Sequence, residues 1–147
     1  CSLDRLRRGA VRKVAKMFIL KKITLDFRET GKTVLTDGKW LGFVVEQALS
    51  NALKYTPEGG VIRVYGDGDT VVIADSGIGI RPEDLPRVFE KGFTGYNGRT
   101  ERKSTGIGLY LSKQVCERLG HGITVTSRPG QGTLVRLDLS RGRRVVE

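Results

Sequence analysis

Two neutral amides lie on the polar side of a predicted helix in EQALSNALKYTPEGG, residues 46–60. On a helical wheel, Gln47, Asn51 and Lys54 share this side. The apolar residues of the same helix fall roughly opposite, at Leu41, Val45, Ala48, Leu49 and Ala52. Because 29% of the residues in this chain are charged, an ordinary solvated face would be expected to carry charges where these amides stand. The pattern therefore indicates that something other than water covers Asn51 and its neighbours.

Paired glycines mark two places where a ligand could approach the backbone. In ADSGIGI, residues 74–80, a predicted strand runs into an acid and two glycines; in STGIGLYLSK, residues 104–113, a glycine pair opens a predicted helix. The second arrangement suits a phosphate, because free N–H groups and the positive end of the helix dipole face the same way. No Walker Gly-Lys-Ser/Thr follows, and Leu111 stands where a dinucleotide fingerprint has its third glycine. Since a Gly-x-Gly pair alone is weak evidence, the order of the motifs matters more.

Five short motifs follow one another along the chain: NALKYTP, DSGIGI, FEKGF at 89–93, STGIGL and GQGT at 130–133. In this order they resemble the N, G1, F, G2 and G3 motifs of the catalytic ATP-binding domain of sensor histidine kinases, over residues 20–140. The resemblance implies the two-layer fold of gyrase-type ATPases, with ATP and Mg²⁺ between the Asn51 helix and a long mobile loop at 92–106.

The F motif departs from most sensor kinases, because three residues rather than two separate its phenylalanines. The fuller string GFTGYNGR is similar to that of small intramembrane-sensing kinases of Gram-positive bacteria, which respond to cell-envelope antibiotics.

The resemblance gives the polar helix and the first glycine motif their expected roles. Asn51 is expected to bind Mg²⁺, which favours oxygen ligands and bridges phosphates, and Gln47 is a second candidate ligand. Lys54 is expected to reach a phosphate, and Tyr55 to flank the nucleotide near the adenine. Asp75 is expected to accept a hydrogen bond from the adenine amino group, since an ionised carboxylate can only accept.

Glycines and the long loop are expected to complete the site. Gly77 and Gly79 would clear space around the base and sugar, while Gly106 and Gly108 would expose N–H groups to phosphate. Phe89 and Phe93 would anchor the loop, whose cations Arg99, Arg102 and Lys103 are candidate phosphate contacts. Further expected ATP-binding residues are Ile80, Thr94, Ser104, Thr105, Ile107, Leu109 and Thr133, the last supporting the base through Asp75.

The chain is expected to lack two groups that a complete enzyme needs. Gln47 occupies the position where gyrase-type relatives place a glutamate general base, and an amide cannot take a proton from water. His121, the only histidine, lies between two glycines at a predicted turn, unlike the acceptor helix of the family. The resemblance therefore implies partners: histidine-bearing dimerisation helices of a homodimeric, membrane-anchored parent, and a response regulator downstream of it.

The predicted helices and strands that position these residues indicate an α+β fold. It is a two-layer sandwich in which helices cover one face of a mostly antiparallel mixed sheet. Helices are predicted at 2–17, 37–56, just after Pro82, and 107–119, with Leu111, Val115, Cys116 and Leu119 inward. Strands are predicted at 23–27, 33–36, 61–65, 70–74, 122–127 and 133–139, the first four as two hairpins.

Composition indicates one globular domain of 147 residues. Residues 1–19 are interpreted as a lead-in helix from a missing dimerisation domain, 20–140 as the ATP-binding domain and 141–147 as a basic tail. Apolar runs are too short for a membrane span, and Cys1 and Cys116 make no disulfide framework, so a cytoplasmic domain is expected.

Three alternative functions remain open on the sequence. An anti-sigma-factor serine kinase has about this size and fold. A net charge of +10 also suits a nucleic-acid or membrane-surface module, although no aromatic residues interleave the basic ones, and no nucleic acid is expected. A degenerate scaffold that binds no nucleotide is the third alternative.

Overall fold

A computed structural model describes residues 2–28, 38–90 and 108–139 of the chain. In these ranges the helices are α1 (Leu3–Lys21), α2 (Gly38–Tyr55) and α3 (Gly108–Leu119), with a short 3₁₀ helix at Leu85–Arg87. The strands are β1 (Thr24–Phe27), β2 (Val61–Asp67), β3 (Thr70–Asp75), β4 (Gly122–Arg128) and β5 (Gly132–Asp138).

The five strands form one mixed sheet in the order β1-β2-β3-β5-β4. β1 pairs with β2 in parallel, and the other three pairings are antiparallel. β2 and β3 form the predicted hairpin around Gly68, whose φ of +62° suits a tight turn. The register that matters for the site sets Asp75 opposite Thr133, and Ser127 opposite the same Thr133.

The helices form the second layer, with α2 between α1 and α3. The apolar side of α2 is fully buried, with Leu41, Val45 and Leu49 at 0% exposure. These side chains pack into one core with alternate residues of the strands, namely Ile62, Val64, Val71, Ile73, Ile123, Val135 and Leu137. The period of 3.6 on α2 and the period of two on the strands therefore meet at one apolar interface.

Helix α1 belongs to the same core. Ser2 caps it by accepting a hydrogen bond from the Arg5 N–H (3.4 Å), as the sequence predicts, and the helix runs four residues beyond the predicted end at Met17. Ala10 and Phe18 are buried in the shared core, and the Lys21 ammonium donates to the Leu53 carbonyl at the end of α2 (2.6 Å). The derivation of residues 1–19 from a dimerisation domain stays a prediction.

One sequence prediction on α3 is wrong, and two others fall outside the described residues. Leu111 is predicted to face inward but is 36% exposed, because Ser112 and Cys116 form the buried side of α3. The second arm of the first predicted hairpin, 33–36, lies outside the described residues, as does the tail 141–147. No helix in the described ranges is both long and apolar enough to cross a membrane.

Candidate functional site

The polar side of α2 is partly covered. Gln47, Asn51 and Lys54 are half-buried, whereas Ser50 on the same helix is exposed. The Lys54 ammonium lies 4.8 Å from the centre of the Tyr55 ring, a cation–π contact at the C-terminal end of the helix. The amide oxygens of Gln47 and Asn51 and the Lys54 cation are thus held on one side of one rigid helix.

Asp75 ends β3 in a partly desolvated position. Burial raises the pKa of its carboxyl to about 6, although the backbone N–H groups of Gly77 and Thr133 act in the opposite direction. Its Oδ1 accepts the Gly77 N–H at 2.9 Å. A carboxylate held in a setting of low polarity forms stronger hydrogen bonds to a ligand than one in bulk water.

The loop 76–80, which follows Asp75, is fixed against the end of α2. The Ile78 N–H donates to the Tyr55 carbonyl at 3.1 Å, which satisfies one of the carbonyls that a helix end leaves open. A Cβ atom at Gly77 would overlap that same Tyr55 carbonyl. Gly77 is therefore required for the close approach of two backbones, and through it Asp75 and the polar side of α2 become parts of one site.

The other side of the loop 76–80 is held by the turn between β4 and β5. The Gly130 N–H donates to the Ile78 carbonyl at 2.7 Å. Gly79 has a φ of +77°, and a Cβ there would overlap the Arg128 carbonyl. The sequence analysis assigns Gly77 and Gly79 to space around a ligand; that role stays a prediction, and the structure adds that both glycines admit neighbouring backbone.

Ser127 connects this turn to the site, and the sequence analysis missed it. Its Oγ accepts the Ile80 N–H at 2.7 Å and donates to the Gly132 carbonyl at 2.9 Å. Because a hydroxyl has one hydrogen, the third contact, at 2.8 Å, is a hydrogen bond that the Thr133 hydroxyl donates to Ser127. The only sequence signal for this residue is its place opposite Thr133 across a Gly-x-Gly turn, which becomes visible once the strand register is known.

Ser76 is a second residue that the sequence analysis missed. Its N–H donates to the Val61 carbonyl at 3.0 Å, while its hydroxyl accepts the Val61 N–H at 2.9 Å. This reciprocal pair joins the first residue of the loop 76–80 to the start of β2. The loop is thus anchored to α2, β2 and the β4–β5 turn.

The structure describes only the start of the second glycine motif. Gly108 begins α3 and Leu109 is half-buried, while Phe89 packs against the core with the Lys113 ammonium 5.0 Å from its ring centre. The other predicted residues of this region lie outside the described residues: Phe93, Thr94, Arg99, Arg102, Lys103, Ser104, Thr105, Gly106 and Ile107. Their roles stay predictions.

Two residues with reactive side chains lie away from the loop 76–80. His121 is buried at the turn between α3 and β4, and burial lowers its pKa although Asp138 opposes the shift. Cys116 is fully buried in the core, where desolvation raises the pKa of its thiol to about 11. A neutral histidine and a protonated thiol inside the fold are suited to packing, as the sequence analysis expects for His121.

The side chains on the polar side of α2 fit a metal ion that is held chiefly by the phosphates of a bound nucleotide. Within 2–28, 38–90 and 108–139, no group of three or more His, Cys, Asp or Glu side chains could hold a metal ion. Asn51 and Gln47 offer neutral amide oxygens on one helix side. Such a set suits Mg²⁺ that keeps waters and takes most of its ligands from phosphates.

The amino-acid sequence of this chain is similar to those of known proteins. Residues 36–143 match the family described as histidine kinase-, DNA gyrase B- and HSP90-like ATPases. The chain is 41% identical over 140 residues to the sensor protein BceS of Halalkalibacterium halodurans, covering 92% of this chain and 42% of BceS. It is 48% identical over 108 residues to the sensor histidine kinase GraS of Staphylococcus haemolyticus, covering 71% of this chain and 31% of GraS. The chain thus spans less than half of these relatives.

A solved structure extends the similarity to the whole fold. A mycobacterial sensor histidine kinase, MprB, superposes with a TM-score of 0.81 at 26% sequence identity, and the match covers 99% of both chains. The two-layer α+β fold predicted from the sequence is confirmed by this similarity and by the observed sheet order.

Proposed function

Because the chain belongs to the family of histidine kinase-, DNA gyrase B- and HSP90-like ATPases, we propose that it is the ATP-binding kinase domain of a sensor histidine kinase. In this role it binds Mg-ATP and presents the γ-phosphate to a histidine on the dimerisation helices of its parent protein. The response regulator that receives the phosphate lies downstream of that parent.

One observation carries the proposal: the loop 76–80 joins the Asp75 carboxylate to the polar side of α2. The contact between Ile78 and the Tyr55 carbonyl (3.1 Å) sets an acceptor suited to the adenine amino group beside a helix with Asn51 and Lys54. The site thus has a hydrogen-bond acceptor for the base at one end. At the other end it has an amide oxygen for Mg²⁺ and an ammonium group for phosphate, as a nucleoside triphosphate requires.

Different residues of this chain bind the base and the phosphates of ATP. Asp75 accepts from the adenine amino group, Tyr55 covers the base, and the backbone N–H groups around Gly108 at the start of α3 face the phosphates. Lys54 leaves its contact with Tyr55 to neutralise phosphate charge. Phosphoryl transfer requires chiefly positioning and charge neutralisation, which these groups provide.

Asn51, with Gln47 one turn before it, would hold Mg²⁺ through amide oxygens. The ion, when bound, supplies neutralisation of the phosphate charges. Since Gln47 cannot act as a general base, water is not activated from α2. The γ-phosphate is therefore kept for a histidine rather than lost to hydrolysis.

The similarity to BceS and GraS supports a parent of the same kind. We infer a homodimeric, membrane-anchored sensor that responds to cell-envelope antibiotics, with this domain on its cytoplasmic side. The acceptor histidine is expected outside this chain, because His121 is buried at a turn of the fold.

The test is phosphorylation in trans. The 147-residue chain is incubated with γ-labelled ATP, with and without the parent's dimerisation helices as a separate polypeptide. Acid-labile label should appear on the helices and not on this chain, slowly, because the two pieces lose the effective concentration that a tether provides. Acid treatment removes phosphohistidine but spares phosphoserine.

Two outcomes would contradict the proposal. Acid-stable label would favour the serine-kinase alternative. Acid-labile label on this chain that disappears in His121→Ala would make the chain its own acceptor. An Asp75→Asn variant serves as the control for nucleotide-dependent labelling.

A further inference from the structure

Six exposed side chains of α1 form one surface, which we call the basic-aliphatic stripe. Its members are Arg5, Arg8, Arg12, Lys16, Ile19 and Leu20. At 100° per residue they fall within about 120° of the helix circumference, and a rise of 1.5 Å per residue gives the stripe a length of about 22 Å. The other side of α1 packs against α2 through Ala10 and Phe18.

The charge of the stripe has one sign. Asp4 is the only acidic residue of α1, and it is buried in an ion pair with Arg7 at 2.7 Å. The stripe itself therefore carries four positive charges and no negative one. Positive charge at this density is attracted to a surface of negative charge rather than to a mixed one.

The apolar end of the stripe distinguishes it from an ordinary solvated helix face. Ile19 is 76% exposed and Leu20 is 71% exposed, and both lie one turn after Lys16 on the same side of the helix. Lys21 and Lys22 continue the basic segment. Two large aliphatic side chains held in water next to cations on a rigid helix give a surface that is both cationic and able to insert.

We propose that the basic-aliphatic stripe binds the surface of a bilayer that contains anionic phospholipid. The four cations contact the headgroups, while Ile19 and Leu20 enter the boundary of the acyl region. Nucleic acid would satisfy the cations equally, but it offers nothing to the two aliphatic side chains, and the stripe contains no aromatic residue that could stack on a base. This inference does not rest on the nucleotide site.

The stripe would orient the domain as well as attract it. α1 and α3 lie on opposite sides of α2, so a membrane held against α1 leaves the start of α3 free. The loop 76–80 contacts the C-terminal end of α2 and the β4–β5 turn, and the Lys21 ammonium of α1 contacts the Leu53 carbonyl near that same end of α2. The aliphatic end of the stripe therefore lies at the end of α2 that also carries the predicted nucleotide site.

Co-sedimentation of the 147-residue chain with vesicles tests the proposal in the absence of nucleotide. The vesicles are phosphatidylcholine alone or phosphatidylcholine mixed with phosphatidylglycerol. Binding is expected only to the mixed vesicles, and it should fall sharply between about 0.1 M and about 1 M salt as the Debye length shortens from about 10 Å to about 3 Å.

Paired variants separate the stripe from the net charge. Arg12→Gln with Lys16→Gln should weaken partitioning by about 25-fold, since each cation near an anionic surface contributes about fivefold. Ile19→Ser with Leu20→Ser should weaken it by about tenfold through lost apolar burial. The matched control, Arg118→Gln with Arg128→Gln, removes the same charge from exposed residues on α3 and β4 and should change partitioning by less than about twofold.

The outcomes decide the proposal. Equal losses in the stripe variants and in the control, or no binding to anionic vesicles at low salt, would overturn it. Salt-sensitive binding to a DNA duplex that the stripe variants abolish, without vesicle binding, would assign the surface to nucleic acid instead. Unchanged melting temperatures of the variants confirm that they remain folded, as expected for exposed side chains.

Discussion

At the scale of single residues, Asp75 combines a cost in stability with a use in binding. Its carboxyl has a pKa of about 6 because burial disfavours the charged form. In the unfolded chain the same group ionises near 3.8. At neutral pH the folded domain must therefore hold a charge that the unfolded chain carries more easily, and binding of an adenine amino group would compensate for that charge.

Asp75→Asn should stabilise the domain without nucleotide while weakening its binding of ATP. The shift from 3.8 to about 6 corresponds to about 3 kcal/mol at 1.36 kcal/mol per unit, and partial exposure reduces the expected gain to about 1 to 2 kcal/mol at pH 7.5. The gain in stability should vanish near pH 4, where the folded carboxyl is protonated. The buried charge of Asp75 destabilises the folded domain only as pH rises through the window from 3.8 to about 6. Urea unfolding at both pH values measures it, and equal effects at both would contradict the assigned cause.

The affinity for ATP should also depend on pH through Asp75. The amino group needs an ionised acceptor, so affinity is expected to fall by up to about tenfold per pH unit below about 6. The phosphates of ATP titrate in the same region, and Asp75→Asn corrects for them. The ratio of the two affinities, measured by titration from pH 5 to pH 8, should fall toward one at low pH. The variant itself should bind ATP about 1.5 to 3 kcal/mol more weakly at pH 7.5.

At the scale of elements, the loop 76–80 is held in place by hydrogen bonds to three neighbouring elements. α2 supplies the Tyr55 carbonyl, β2 supplies Val61, and the β4–β5 turn supplies Ser127 and Gly130. Each contact uses backbone on at least one side. The loop is therefore positioned by secondary structure that is distant in sequence.

Gly77→Ala should disrupt this arrangement, because the new Cβ would overlap the Tyr55 carbonyl. Backbone must shift, so we expect a loss of about 1 to 3 kcal/mol in the free energy of unfolding and a loss of ATP binding of tenfold or more. Gly42→Ala is the matched control, since its Cβ would meet nothing within 4 Å. In the interior of α2 it should stabilise by about 0.5 to 1 kcal/mol and leave ATP affinity unchanged. Equal behaviour of the two variants in chemical denaturation would contradict the packing role of Gly77.

Ser127→Ala should show that this hydroxyl is a positioning residue. It removes an acceptor from the Ile80 N–H and a donor to the Gly132 carbonyl, which predicts a loss of about 1 to 3 kcal/mol in stability. Discrimination between ATP and GTP should also fall, since the loop that carries Asp75 becomes less fixed. Thr126→Ala, an exposed neighbour on β4, should change neither quantity. A loss of stability with full base discrimination would limit Ser127 to a structural role.

Local patterns predicted the elements but not the contacts between them. The apolar side of α2 followed from its period, because Leu41, Val45 and Leu49 face one core. Ser127 could not be found in this way, since its role depends on the strand register and on a loop 47 residues away. The inward position of Leu111 was predicted wrongly for a related reason: a helix wheel gives the relative directions of side chains, while the packing of α3 decides which of them are covered.

At the scale of the whole molecule, the excess of positive charge is concentrated at the start of the chain, while the predicted site residues follow later. The first 32 residues hold ten of the 26 basic residues and three of the 16 acids. Asp75 and the loop 76–80 follow β3, and the loop contacts the C-terminal end of α2, which Lys21 also contacts. The basic helix α1 and the predicted nucleotide site therefore meet at one end of α2. The family assignment concerns residues 36–143, and the transfer of phosphate to a histidine belongs to the proposed function.

The central claim is that this domain binds Mg-ATP through Asp75 and the polar side of α2. Titration with a fluorescent ATP analogue, with and without Mg²⁺, tests it most directly, followed by displacement with ATP and with GTP. The account predicts saturable binding of one analogue per chain at micromolar to millimolar affinity, stronger with Mg²⁺, displaced by ATP and poorly by GTP, and weakened in Asp75→Asn and Asn51→Ala. Absence of saturable binding, or equal displacement by GTP with no effect of Asp75→Asn in a folded variant, would contradict it.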